Sequence, residues 1–334
     1  MALLRNLSLA ALGGAALLRW AGGRQPEGAI LLGDGPPRPA PDHLRVVSWN
    51  IHYGYGPVFD RGTVGTRAQV LAHLDAIAAW LREVDADLVA LQEVDTDARR
   101  TFGVDQLTWL MRATGLPFAA LTHTWDARWV PSPGLDPRRH YGQVRSSQAT
   151  LSRYPLRDAA RHALPQPPNN SRIYNRFYLH RAALEVTVDL PRPIRTFNVH
   201  TEAFDRANCT THAEILAGLV RAGDARRTLV LGDLNSVPPE AALKHAFPDE
   251  PQTDMRQDRA IDALRAVPDL VEAAPAPTPP EQERAWFTFP SWEPNRRLDH
   301  AWAGRELPIL AARVGRPLPD PSDHLPVVLT VGAR

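Results

Sequence analysis

Cysteine is almost missing from this 334-residue chain: Cys209 stands alone, which excludes an internal disulfide and any zinc site built on cysteine. Lysine is as scarce, with Lys244 the single one among 38 basic residues. Net charge is scarce too, because 37 acids balance the chain to a formal +1. That balance withholds the broad positive field with which a nucleic-acid-binding surface gathers its ligand. The arginine bias is what a GC-rich gene produces, although arginine's fork also suits bidentate phosphate contacts at one or two positions. Three motifs are absent: a Gly-x-Ser-x-Gly elbow with its serine nucleophile, a Walker A loop, and a dinucleotide fingerprint. The N-terminal apolar stretch, residues 7–18, is too short to cross a bilayer. Preceded by Arg5, it has the form of a signal-peptide core, though Arg19 and Trp20 stand where small cleavage-site residues belong. Residues 1–25 are therefore expected to be a signal-like or membrane-tethering leader, giving export or contact with a membrane surface. A frayed helix of a cytoplasmic protein is the alternative. Residues 26–43, with five prolines, read as a linker, and residues 44–334 as one domain with enough apolar residues, 44%, for a large core.

What the chain does have is a repeated plan. The apolar run at residues 228–231 reads as a buried strand and ends in Gly232-Asp233-Leu234-Asn235. Side chains two apart on a strand share a face, so Asp233 and Asn235 are expected in one pocket, the carboxylate polarising a water and the amide orienting it. Residues 88–92 form a similar run that ends in Glu93. Each of these strands follows a helix announced by a capping box, Thr66-x-x-Gln69 and Thr211-x-x-Glu214. Val70, Leu74, Ile77 and Leu81 continue the first helix at helical spacing, and Ile215, Leu216, Leu219 and Val220 the second. Before each helix lies another β-type run: residues 46–52 with Asn50 and His52, and residues 194–200 with Asn198 and His200. Strand, Asn-x-His, helix, strand, acid thus occurs twice, which predicts two similar halves with four strand ends at one cleft. Near the C-terminus, Ser322-Asp323-His324-Leu325-Pro326 precedes the apolar residues 327–331, and Asp299 lies on a short mixed strand upstream.

Six segments together resemble the endonuclease/exonuclease/phosphatase superfamily, which includes pancreatic-type deoxyribonuclease, abasic-site endonucleases, bacterial sphingomyelinases and inositol polyphosphate 5-phosphatases. They are Ser48-Trp49-Asn50, Leu91-Gln92-Glu93-Val94, Asn198-Val199-His200-Thr201, Gly232-Asp233-Leu234-Asn235, Leu298-Asp299-His300 and Ser322-Asp323-His324-Leu325-Pro326-Val327, in the family's order across residues 44–331. The resemblance implies an α/β fold, a four-layer α-β-β-α sandwich of two facing mixed sheets flanked by helices. It also implies that Asn50 joins Glu93 around a metal with Asp323 nearby, and that His324 sits against the phosphate, paired with Asp299. One loop departs from the family: in residues 147–153, Ser147 and Gln148 stand where a glycine and an asparagine are usual, and Tyr141-Gly142 lies farther upstream than the family's tyrosine-glycine pair.

The residue types support the same chemistry. Oxygen donors suit Mg²⁺ or Mn²⁺, and Glu93 is the best candidate ligand as a lone carboxylate at a buried strand's end. Asp233, with Asn235, is the candidate to position and deprotonate the water. An acid holding one ring nitrogen of His324 favours the imidazolium, which stabilises phosphoryl charge. His200 is expected to donate to a phosphate oxygen. His52, Asn198, Tyr141 and His300 stand as lesser candidates. The expectation is a monomeric phosphodiesterase or phosphatase acting on a lipid head group or small phosphoester. An endonuclease acting on DNA or RNA is the alternative within the fold, and a non-catalytic binding protein the alternative of another class. Residues 123–147 and 273–294, both rich in Trp and Pro, read as insertions whose aromatics either set substrate choice at the rim or pin the loops to the body.

Overall fold

The computed structural model describes residues 20–35, 38–57, 65–134 and 136–334. In chain order its main elements are β1 (Ile30–Leu32), β2 (His43–Asn50), α1 (Arg67–Glu83), β3 (Leu88–Asp95), α2 (Gln106–Thr114), β4 (Phe118–Val130), β5 (Gly142–Ser152), β6 (Leu156–Ala163), α3 (Arg172–Phe177), β7 (Ala182–Val188), β8 (Ile194–His200), α4 (Arg206–Arg221), β9 (Thr228–Asp233), α5 (Ala260–Arg265), β10 (Leu270–Glu272), β11 (Asp299–Gly304), β12 (Ile309–Val314) and β13 (Val327–Gly332). They make a seven-stranded sheet, β1-β4-β5-β3-β2-β13-β12, and a six-stranded sheet, β10-β11-β9-β8-β7-β6. Packed face to face between helices, the two form the four-layer sandwich.

The period-2 alternation of the strands explains the layering. On β2, Leu44 and Val46 point between the sheets, where they meet Leu229, Leu231 and Ala301 of the other sheet. Val47 and Trp49 point outward onto Val70, Leu74 and Ile77 of α1. The second sheet repeats the scheme, with Phe197 and Val230 packed outward on Leu216 and Val220 of α4 and Ile261 of α5. Both faces of these strands are buried, which is why they read as unbroken apolar runs.

The duplicated plan appears as two parallel pairs in otherwise antiparallel sheets. β2 and β3 pair with Asn50 opposite Gln92, and β8 and β9 with His200 opposite Asp233. Each pair is flanked by an antiparallel strand from the C-terminal part: β13 beside β2, and β11 beside β9 with Asp299 opposite Asp233. The strand ends that carry the candidate residues therefore leave both sheets on the same side.

Gly232 makes the β8–β9 pairing possible. Its φ is 156°, and a Cβ there would overlap the carbonyl oxygen of Val199.

Several local expectations are corrected. The capping box at Thr66 forms as expected. The one at Thr211 does not: α4 starts at the N-cap Asp205, whose Oδ1 accepts from the Asn208 N–H at 2.9 Å. Thr211 instead lies inside the helix and donates to the Ala207 carbonyl. The N3 residue of this helix is Asn208, so no capping box marked its true start. Cys209 is consequently a buried helix residue, its thiol pushed up to about 12 by burial. Residues 123–147 are largely a long hairpin, β4 and β5, paired from Phe118↔Ser152 to Val130↔Gly142. The segment read as a linker supplies β1, paired at the sheet edge as Ile30↔Leu121. Of the segment read as a leader, residues 1–19 lie outside the described residues.

Candidate active site

Asp233 is the centre of the site. It is the last residue of β9, buried, and its carboxylate collects donors from both sheets. Asn50 Nδ2, at the end of β2, donates to Oδ2 at 3.1 Å. His200 Nε2, at the end of β8, lies 3.2 Å from the same oxygen, and His324 Nε2 lies 3.7 Å away. The backbone N–H of Asn235 donates to Oδ1 at 2.8 Å. Burial alone would raise this carboxyl, but the two imidazoles and the Asn235 N–H outweigh it and hold Asp233 well below the usual carboxylate range.

His324 is oriented from behind. Asp299, the first residue of β11, accepts from its Nδ1 at 2.7 Å. Trp49 Nε1 donates to the His324 carbonyl at 2.9 Å, and the Phe289 ring packs on the imidazole at 4.6 Å. Thr288 Oγ1 accepts from the backbone N–H groups of Leu298 and Asp299, fixing where β11 begins. Burial opposes the imidazolium, yet Asp299 and Asp233 together raise His324 to about 10. The shared proton therefore sits on the ring at neutral pH, and Nε2 presents an N–H toward Asp233.

Glu93 and Asp323 border the same cleft. Their side chains keep 18% and 17% exposure, against 1% for Asp233 and none for Asp299. Glu93 lies 4.0 Å from His200 Nδ1, and Asp323 Oδ2 lies 3.4 Å from His52 Nδ1. Burial raises the Asp323 carboxyl, and the charges of Glu93 and Asp233 raise it further. Glu93, Asp233, Asp299 and Asp323 thus gather in one place, with the cationic His324 ring among them.

The backbone is bent where the candidate residues sit. Glu93 has φ 60°, in a bulge where β3 slips register between Leu91 and Val94. His52, Tyr53 and Asn235 have φ of 47°, 52° and 45°. Non-glycine residues held in this region cost energy and gather at functional sites. The bends also correct two expectations. Asn235 shares no strand face with Asp233, because the chain turns after Asp233, and its Nδ2 donates to the Thr201 carbonyl at 3.2 Å. His52 lies beyond the end of β2, in a turn where its N–H donates to Asn50 Oδ1 at 3.0 Å.

Three of the lesser candidates separate from the site, while His52 borders it beside Asp323. Asn198 ties the sheets together through the Leu91 and Ala149 carbonyls at 3.0 and 2.9 Å. His300 stacks on Trp302 and bonds the Ser236 carbonyl. Tyr141 packs edge-on to Trp125. Residues that the sequence reading passed over include Thr288 and Phe289, which had seemed to belong to an aromatic loop, and Ser322, whose hydroxyl donates to the Asn50 carbonyl at 2.7 Å. Ser322 already stood in the Ser-Asp-His motif; Thr288 carried no signal.

Asp233, Asp299 and His324 each place a ligand atom within 4.8 Å of the others, close enough to hold a metal ion. Asp299 Oδ2 is already engaged by His324 Nδ1, so this trio reads better as an oriented Asp–His pair facing a carboxylate. The donor set with room toward the cleft is Glu93, Asp323 and Asn50, whose Oδ1 has accepted a single N–H. All are hard oxygen donors, which suits a divalent cation such as Mg²⁺ or Mn²⁺.

Comparison with known proteins agrees with this geometry. The model of the endonuclease/exonuclease/phosphatase family matches residues 47–324. An endonuclease/exonuclease/phosphatase from Beutenbergia cavernae superposes with a TM-score of 0.58 at 23% identity, covering 88% of this chain and 72% of that one. The mannosyl-6-phosphatase of Bacteroides thetaiotaomicron gives 0.55 at 15%, over 86% and 99%. TDP2 of Caenorhabditis elegans, in truncated form, gives 0.50 at 17%, over 87% and 98%. Among curated proteins no match was found.

Proposed function

Because the chain belongs to the endonuclease/exonuclease/phosphatase family, whose members are hydrolases of phosphate esters, we propose that it is a divalent-metal-dependent phosphodiesterase or phosphatase acting on a small phosphoester or lipid head group. The observation that carries this reading is the Asp233 carboxylate, met by Asn50 from one sheet and His200 from the other, with the Asp299–His324 pair alongside.

Each residue has a part. Asp233, ionised and held in place by Asn50 and the Asn235 N–H, orients the attacking water and draws its proton as the nucleophile forms. Asn235 fixes that carboxylate through its backbone, its side chain bracing the turn against Thr201. His324, kept cationic by Asp299, stabilises the charge that builds on the phosphoryl oxygens, and His200 donates to the phosphate from the other side. Glu93, Asn50 and Asp323 would hold the divalent ion, which when bound supplies further neutralisation of phosphoryl charge. The near-neutral balance of the chain favours a compact substrate over a nucleic-acid duplex.

The test is hydrolysis of bis(p-nitrophenyl) phosphate and p-nitrophenyl phosphate with Mg²⁺ or Mn²⁺, against EDTA. Activity should need the ion and fall by roughly 10³-fold or more in Asp233→Ala, the scale seen when a catalytic electrostatic group is removed. Wild-type protein no more active than that variant across a broad phosphoester panel would overturn the reading.

A further inference from the structure

The large apolar side chains left exposed are not spread evenly over the molecule. Strands β2, β3, β8 and β9 finish at the catalytic end, and their antiparallel neighbours β7, β11 and β13 begin there. Connecting residues 96–105, 164–181, 201–205, 273–298 and 315–326 therefore lie at that end. Six exposed side chains stand on them: Phe102, Ile173, Tyr174, Phe204, Trp292 and Leu318, with Phe204 at 76% and Leu318 at 89%. Several are next to the cleft. Phe204 follows closely on His200, and Trp292 on Ser291, whose N–H donates to the Asp323 carbonyl at 2.7 Å. Helix α3, with Ile173 and Tyr174, is tied in by Trp125 Nε1, which donates to the Phe177 carbonyl at 2.9 Å. Trp125 itself lines a pocket with Glu93 and His200.

The opposite end is built differently. Among the described residues its connections carry no exposed large apolar side chain; apart from Trp20, the remaining ones sit on the edge strands β1, β10 and β12. Ion pairs stand there instead, among them Arg45–Asp85 at 2.6 Å, Arg153–Asp87 at 2.8 Å and Arg192–Glu306 at 2.5 Å. The molecule is thus charged at one end and apolar at the other. The N-terminal segment joins the apolar end. Gly23 pairs antiparallel with Ala127 where β4 runs out past the cleft, so Trp20 lies farther out still, half exposed and 5.8 Å under Arg128. In the sequence, Trp20 comes directly after Arg19 and the apolar residues 7–18.

Apolar side chains gathered at one end and left in water mark a surface that another body covers. A protein seated across these loops would close the cleft, whereas a bilayer would present its own phosphodiesters to it. We infer that the catalytic end docks on a lipid bilayer, with Phe204, Trp292 and Leu318 entering the head-group boundary and the cleft facing the membrane. Aromatic and aliphatic side chains suit that boundary, and ion pairs such as those at the far end do not. The apolar residues 7–18, too few to span a bilayer, would add a second contact on the same side. That the bilayer also supplies the substrate rests on the phosphoesterase reading.

The experiment is co-sedimentation of the full chain with vesicles of phosphatidylcholine and phosphatidylglycerol. Wild type should bind, and the combined Phe204→Ser, Trp292→Ser and Leu318→Ser variant, its residues 7–18 intact, should partition roughly tenfold more weakly or less still. A second readout does not depend on that variant folding. Cys209 is buried, so a polarity-sensitive dye can be placed selectively through Leu318→Cys or, on the edge strand β12, through Leu310→Cys. Vesicles should shift the emission of the first dye to the blue and leave the second unchanged. Wild type that ignores vesicles overturns the inference, as does binding that the triple substitution leaves unaltered with both dyes unmoved, which would give it to residues 7–18 alone. A dimer in solution that the same substitutions dissociate would assign the face to a second copy and overturn it too. None of these readouts needs turnover. A wild type that cleaves soluble phosphoesters but ignores vesicles loses the docking and keeps the chemistry, and one that docks by this end without cleaving any ester does the reverse.

Discussion

At the residue scale the chemistry depends on how closely two strands approach. Gly232 stands beside Asp233 with φ 156° and no room for a Cβ against the Val199 carbonyl. Gly232→Ala should push β9 from β8 and displace Asp233 from His200, its pairing partner. Overlap with backbone plus a disfavoured φ costs on the order of 2–4 kcal/mol. Urea unfolding should show that loss, and activity should fall with it; an alanine variant as stable and active as wild type would contradict the geometry. His212 gives a pH-dependent case away from the cleft. Burial, with Arg181 adding to it, lowers this imidazole to about 4. Its Nδ1 accepts from the Glu202 N–H at 3.2 Å and its Nε2 donates to the Pro165 carbonyl at 2.7 Å. A second ring proton would face the Glu202 N–H. An unfolded histidine takes up its proton near pH 6.5, so this contribution is whole above 6.5 and is lost as pH falls toward 4, by at most about 1.4 kcal/mol per pH unit. His212→Gln should be less stable at pH 7.5 and lose less between pH 6.5 and 4. Parallel pH curves for the two proteins would remove His212 as the cause.

At the scale of the element, the candidate side chains gather at or near the ends of strands, and for His200 the helix that follows marks where that end lies. β8 delivers His200, and α4 begins just beyond it at the N-cap Asp205. Asp205→Ala should cost about 1 kcal/mol, the usual worth of an N-cap, while Thr211→Ala, once expected to be the cap, should cost less than half as much. Denaturant midpoints for the two variants decide between them, and equal losses would count against Asp205. The same elements show what was legible beforehand. Apolar runs at residues 88–91 and 228–231 announced buried strands because both their faces are covered, and the acids after them marked the strand exits. What the pattern could not carry was the backbone at those exits. The bulge that turns Glu93 to φ 60° and the turn at Asn235 arise from pairing with β5 and from contacts with Thr201, which lie far along the chain.

At the scale of the whole molecule, the site exists because two sheets are held in one register, and a small set of buried amides does much of the holding. Asn198 of β8 donates to the Leu91 carbonyl of β3 and the Ala149 carbonyl of β5, and accepts from Gln92 Nε2 at 2.8 Å. Gln148 of β5 returns the contact, donating to the Asn198 and Ala182 carbonyls at 2.7 and 2.8 Å. These bonds cross the interface directly beneath Asn50, Glu93 and His200, where an apolar seam would allow the sheets to slide. Asn198→Leu would take a hydrogen bond from two buried carbonyls and one of the two that Gln92 Nε2 makes, at about 1–3 kcal/mol for each group left unsatisfied. Compensation by the larger apolar side chain is partial, so a net loss of about 3–5 kcal/mol is expected. Because the sheets share this seam and one core between them, they should unfold together. Hydrogen exchange should then give residues 44–50 of the first sheet and 228–233 of the second the same opening free energy, lowered equally in Asn198→Leu. Two separate opening energies, with only one of them moved by the substitution, would mean that each sheet is stable by itself and that the alignment of Asn50 with Asp233 has another cause.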